Sequence, residues 1–225
     1  LHEWFEAPNA VTSDVLACVR NFVRTDGARS QDPLKFQKDA ELLEKALVSE
    51  PNNTRYAFYL AQSYKDAGMA EKAIQSYDRR IAMGGWDEEI FCCKLQKAML
   101  NEQLKKPDDE IIASYKEAYQ FRPTRAEPLY RLGLFLREKN NFKEALEVTR
   151  KALSLQIPER DLLFVEKWIY DYGILLEYSV NAYWTESFVE SKLASELLLT
   201  KELPENFRKC VERNMQFIND KLRVT

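Results

Sequence analysis

Along most of the chain, apolar residues recur three to four positions apart, with small residues placed between large ones. In Asn53–Met83, Leu60, Ala61, Tyr64, Ala73 and Tyr77 fall on such a pattern, interrupted by Gly68. Spacing of this kind is that of amphipathic helices, and a glycine in the middle predicts a tight turn between two of them. The frame returns at Arg125–Ile157. There Leu132 and Gly133 form the large–small pair, Leu136 the next turn, Asn140-Asn141 stands for the turn glycine, and Ala145 and Ala152 are the small positions of the second helix. A looser copy lies between them, with helices over Ile90–Leu104 and Glu110–Phe121 and with Tyr115 and Ala118 in register. Upstream, Lys35–Val48 reads as a lone second helix whose apolar face carries Leu43, Ala46 and Leu47. Downstream the period fades, yet helices are predicted over the aromatic-rich Leu162–Tyr183, over Phe188–Thr200, and from Pro204 to about Leu222. The last of these suits a capping helix with a polar outer face.

Punctuation supports this division. Pro51, Pro123 and Pro158 stand near the unit ends, where proline stops one helix and starts the next. Thr124 with Glu127 reads as a capping box. Asp87 reads as an N-cap followed by Glu88 and Glu89 at the positive end of the helix dipole, with Trp86 and Phe91 as a hydrophobic staple. The Asp108-Asp109 pair after Pro107 reads as capping. Helix pairs at these offsets resemble tetratricopeptide units. The expected fold is therefore all-α, a right-handed superhelix of tetratricopeptide-like helix pairs.

Composition fits a folded protein: 45% hydrophobic and 31% charged residues, with only six glycines and eight prolines in 225 residues. A net charge of −3 offers no basic stripe for nucleic acid, and no apolar run approaches the roughly 20 residues of a bilayer span. Cys18, Cys92, Cys93 and Cys210 form no CxxC pair and the chain has one histidine, so no zinc site is expected and the thiols read as reduced. No leader sequence is visible from Leu1, and the expected location is cytoplasmic. The start reads as a boundary, with an upstream part carrying the chemistry.

Residues 1–33 do not fit the repeat. Val15–Val19 and Asn21–Val23 are β-leaning runs ended by the Asp26-Gly27 turn. The order His2-Glu3, a strand, DGARSQDP at Asp26–Pro33 and then DAELL at Asp39–Leu43 resembles proteins with a family 2 glycosyltransferase-like domain followed by a tetratricopeptide-like region. The strings RYAFYLAQSYKDAG (Arg55–Gly68), YDRRIAMGGWDEEIF (Tyr77–Phe91) and RPTRAEPLYRLG (Arg122–Gly133) extend the resemblance. It implies that residues 1–33 are the edge of such a domain and 34–225 its helical extension. A nucleotide sugar and a divalent metal are implied for the parent, and no cofactor or metal for this chain, which lacks an Asp-x-Asp strand. On this reading the chain supports catalysis without being active alone. The alternative is a free-standing tetratricopeptide adaptor that binds a peptide segment of a partner.

Candidate residues follow from both readings. His2 and Glu3 match an acceptor-side His-Glu of the resembled family and would act only with the upstream domain. Asp26, Arg29 and Ser30 form a polar turn that either contacts a sugar or phosphate or closes on a neighbouring carboxylate. On the first helices of each pair, Arg55, Phe58, Gln62, Lys65, Glu127, Tyr130 and Arg137 are placed to face a groove for a peptide, protein or glycan acceptor. Their alternative role is to hold neighbouring helices together. Trp86, after Gly84-Gly85, is a binding feature or the staple. No nucleophilic triad can be built around His2.

Overall fold

The structure is a computed structural model that describes residues 31–224. Among these it contains helices and no strand. They are α1 (Lys35–Ser49), α2 (Thr54–Asp66), α3 (Ala70–Ala82), α4 (Asp87–Gln103), α5 (Asp108–Phe121), α6 (Glu127–Glu138), α7 (Phe142–Leu153), α8 (Ile174–Trp184), α9 (Phe188–Leu199) and α10 (Glu205–Val224). The chain divides into two compact units, Leu1–Arg79 and Arg80–Thr225, with the division inside α3. The β-leaning runs of the first thirty residues, with His2, Glu3, Asp26, Arg29 and Ser30, lie outside the described residues.

In the first unit α1 packs on α2, burying Ala40, Leu43 and Leu47 against the apolar face of α2. Asn53 caps α2 by accepting a 3.0 Å bond from the Tyr56 N–H. Ala61 and Ala73 are fully buried, as expected of positions where helices approach closely. In the second unit each helix packs on the next, and α8 also touches α6 and α10.

The turn inside each pair is one recurring device. Gly68 (φ +73°), Lys105 (φ +52°), Asn140 (φ +59°) and Glu186 (φ +61°) each adopt the left-handed conformation after a helix. The following N–H then reaches back to a carbonyl five residues earlier: Met69 to Tyr64, Lys106 to Asn101, Asn141 to Leu136 and Ser187 to Ala182, all at 2.9–3.0 Å. This is the bond that closes a helix C-terminus in a Schellman motif. It defines the pairs α2/α3, α4/α5, α6/α7 and α8/α9. The glycine and asparagine turns match the sequence expectation, and two more are built on Lys105 and Glu186, which carry no turn signature.

Gly133 explains why α6 and α7 lie so close. A Cβ at this position would meet Thr149 Cγ2 at 2.5 Å. Gly133→Ala should therefore cost about 1–3 kcal/mol by overpacking. Adding Thr149→Ser, which removes the methyl and keeps the hydroxyl bond to the Ala145 carbonyl, should return most of that loss in urea unfolding. An equal loss in the double variant would contradict this packing.

Several predicted boundaries are corrected. The N-cap of α4 is Trp86, not Asp87, and no side chain caps that end. Staple positions would then fall on Gly85 and Ile90, so Trp86 and Phe91 do not form one. The N-cap of α6 is Ala126, again without a side-chain bond, so Thr124 and Glu127 make no capping box. Asp108 opens α5 without capping it and pairs instead with Lys139 at 2.7 Å. The aromatic-rich helix does not begin at Leu162. Residues 154–166 form a link, the chain becomes helical only at 167, and a π-type turn over Ile169–Gly173 leads into α8.

Candidate functional site

The link of residues 154–166 makes few bonds of its own, so its peptide groups depend on side chains from elsewhere in the second unit. Glu88 Oε2 accepts from the Leu162 and Leu163 N–H groups, both at 2.7 Å. The Leu163 and Phe164 carbonyls accept from Arg125 at 3.2 and 3.1 Å. Glu127 accepts from the Glu166 N–H at 3.2 Å and from the Tyr170 hydroxyl at 2.8 Å. Arg125, fully buried over the Phe91 ring, forks onto Glu127 and reaches Asp161 at 3.3 Å, while Arg122 grips Asp161 through two 2.7 Å bonds.

Burial works against the charge on Arg125, but its bonds to Glu127 outweigh that effect and hold the guanidinium well above its usual range. The Arg122 hydrogen bond is the main reason Asp161 is held below the usual carboxylate range. This network anchors a backbone segment; its carboxylates are engaged by arginines and N–H groups. The buried thiols of Cys92 and Cys93 are pushed up by desolvation, Cys92 to about 12, so neither is an activated nucleophile. Among the described residues no group of three or more His, Cys, Asp or Glu side chains is arranged to hold a metal ion.

The candidate residues on the helices divide by environment. Phe58 (2% exposed), Glu127 (0%) and Tyr130 (8%) are buried in their units. Tyr130 meets the Trp168 ring edge-on at 5.3 Å. Arg55 donates to the Tyr59 hydroxyl and lies over its ring. Lys65 pairs with Asp66 at 3.1 Å, and Gln62 is half-buried beside it on α2. Trp86 is exposed. Arg137 lines a cleft of the second unit, where it donates to Glu177 at 2.5 Å.

That cleft has a volume of about 450 Å³ and lies between α8 and α10, with Arg137 at the end of α6 on its rim. Its wall is apolar, from Leu176, Val180, Tyr183, Trp184, Phe217 and Ile218. Polar groups share the lining: Arg137, Glu177, Ser179, Ser191, Cys210, Arg213 and Asn214. Trp184 stacks on Phe142 at 5.2 Å and remains 56% exposed, and Phe217 is 54% exposed. Burial raises Glu177 above its ordinary value, and the Arg137 bond pulls the other way. The aromatic residues from Phe164 to Trp184 divide: Trp168 packs on Tyr172, and Tyr172 on Phe207 of α10, whereas Phe164 and Trp184 are exposed. The sequence signal for the cleft was Phe217 beside Ile218, an extra aromatic next to the buried stripe of α10. A second cleft of about 630 Å³, between α4, α5 and α6, is rimmed by Lys105, Lys106, Asp108, Glu138 and Lys139.

No helix among the described residues is long and apolar enough to cross a membrane. No protein-family model matches the chain, and no curated protein matches it. Solved structures do. A tetratricopeptide repeat protein from Parabacteroides merdae ATCC 43184 superposes with a TM-score of 0.61 at 17% identity, over 83% of this chain and 68% of that one. MamA superposes at 0.59 and 18% identity, over 75% and 89%. YrrB, described as a tetratricopeptide repeat protein with an unusual peptide-binding site, superposes at 0.56 and 11% identity, over 80% and 84%. These likenesses establish the fold, and the chain is built as the helix-pair repeat of tetratricopeptide proteins.

Proposed function

We propose that the chain is a protein-interaction module that holds a segment of a partner protein in the cleft between α8 and α10. The observation that carries this reading is a cleft of about 450 Å³ whose wall carries six large apolar side chains among polar ones, with two half-exposed aromatics at its mouth. Its size and lining suit an apolar side chain inserted from a peptide, with the backbone met by rim groups. The buried ion-pair network and the high thiol pKa values favour a scaffold over a catalyst. YrrB offers a precedent for peptide binding on the same fold. The adaptor reading of the sequence therefore takes precedence.

The resemblance to family 2 glycosyltransferase-like proteins adds a second reading, carried by strings such as RYAFYLAQSYKDAG and by none of the structural likenesses. In it the same cleft takes an acceptor or a protein surface of the catalytic domain. The nucleotide sugar and divalent metal belong to that domain.

The test is selection of binders from a displayed random peptide library against the whole chain, followed by titration with Phe217→Glu. Phe217 is half-exposed, so the charge enters the cleft mouth without disturbing the core. The expected result is at least a tenfold loss of affinity with unchanged helicity, about 1.4 kcal/mol or more. Undiminished binding by the variant would place the ligand elsewhere. Titration with a sugar nucleotide and manganese is expected to give no heat on either reading, and micromolar binding would contradict the assignment of both ligands to an upstream domain.

A further inference from the structure

Helix α9 is built inside out. Its buried side carries mostly small residues: Ser191 (0% exposed), Ala194 (6%) and Ser195 (1%), with Leu198 (0%). Its large aliphatics point away from the unit: Val189 is 63% exposed, Leu193 61% and Leu197 53%. These three residues stand four apart, so they form one continuous stripe, with Val189 and Leu197 each about 6 Å along the axis from Leu193. A helix that is apolar on both faces is expected to be covered on both.

We infer that this stripe pairs with the same stripe of a second copy of the chain, the two α9 helices running antiparallel about a two-fold axis at Leu193. The charges beside the stripe identify the occupant. Lys192 and Glu196 lie on one flank, and they already attract each other weakly within the helix, at 3.8 Å. An antiparallel two-fold places Lys192 of each copy beside Glu196 of the other, giving two opposite-charge contacts. The other flank holds Glu190, which would face its own equivalent. Its charge is met within its own copy by Arg150 at 2.9 Å and the Tyr178 hydroxyl at 2.5 Å, so that approach is not repulsive. Self-complementarity of this kind is what an isologous interface requires. A single helix pair is small beside the roughly 1,200–2,000 Å² of standard interfaces, so the dimer is weak and concentration-dependent.

Sedimentation equilibrium on the whole chain, between roughly 10 μM and 1 mM, reads this directly. The wild type should pass from monomer toward dimer across that range, and Leu193→Glu, an exposed substitution, should stay monomeric with unchanged circular dichroism. Lys192→Glu should weaken association, and Lys192→Glu with Glu196→Lys should restore it. Phe217→Glu, in the separate cleft, should dimerise as the wild type does. A wild type that remains monomeric would assign the stripe to a different occupant and overturn the inference. So would a Leu193→Glu variant that still dimerises, or a charge exchange that fails to recover association.

Discussion

Arg125→Ala is expected to destabilise the Arg80–Thr225 unit by about 3–5 kcal/mol, the usual cost of stripping one partner from a buried ion pair. The side chain is fully buried and makes bonds to Glu127, Asp161 and the Leu163 and Phe164 carbonyls. Its removal leaves the fully buried Glu127 carboxylate without a cation and two link carbonyls without that donor. Arg125→Lys should recover little, because an ammonium cannot fork across a carboxylate and two carbonyls at once. Urea unfolding followed by tryptophan fluorescence measures the loss, with Trp168 and Trp184 reporting from the same unit. The network also sets the response to acid. Asp161 is held below its ordinary carboxylate value, so its stabilisation is complete above its unfolded value, near 3.9, and is lost as pH falls through the folded one. The unfolding midpoint of the wild type should therefore fall more steeply below about pH 4 than that of Asp161→Asn. A loss below about 1 kcal/mol for Arg125→Ala would show that water replaces the guanidinium, contrary to its burial.

Arg80→Ala is expected to have a comparable effect, again about 3–5 kcal/mol. Arg80 is fully buried in the last turn of α3. Its Nε and one terminal nitrogen donate to Glu89 Oε2 at 3.0 and 2.8 Å, and the other donates to the Gly84 carbonyl at 2.6 Å. It thus fixes the turn in which Gly84 (φ +68°) and Gly85 (φ +93°) connect α3 to α4. Truncation leaves Glu89, whose side chain is 8% exposed, as an uncompensated charge. Replacing both residues, Arg80→Met with Glu89→Leu, should recover most of the stability, since a well-packed apolar pair often matches a buried ion pair. A double variant as unstable as the single one would mean that the Gly84 contact, rather than the ion pair, carries the effect.

These two arginines mark the limit of what the sequence disclosed. Small residues at crossings were legible, since Ala61, Ala73, Gly133, Ala145 and Ala152 recur at fixed offsets and all are buried. The turns at Gly68 and Asn140 were legible because their residue types tolerate a positive φ. Those at Lys105 and Glu186 were not, because packing of the flanking helices imposes that conformation on residues with no preference for it. Arg80 and Arg125 carried no sequence signal, Glu88 and Glu127 read as helix-start charges with Glu127 also facing a groove, and nothing in a helical period reveals that such a charge is buried and satisfied by other groups of the fold. The start of the aromatic helix was misplaced for the same reason. Leu162–Val165 looks like helix, yet its N–H and C=O groups are held by Glu88 and Arg125. For the candidate site, period alone cannot tell which face of an internal helix meets solvent. Phe58, Glu127 and Tyr130 turned inward, and only Arg137 of the named groove residues came to the α8–α10 cleft.

The cleft between α8 and α10 is the proposed seat of a partner segment. Hydrogen–deuterium exchange on the whole chain, with and without a library-selected peptide at saturation, tests it most directly. Slowed amide exchange is expected to concentrate in α8 and α10, around Val180 and Phe217. Protection confined to the cleft of α4, α5 and α6, or no change at any amide, would contradict it.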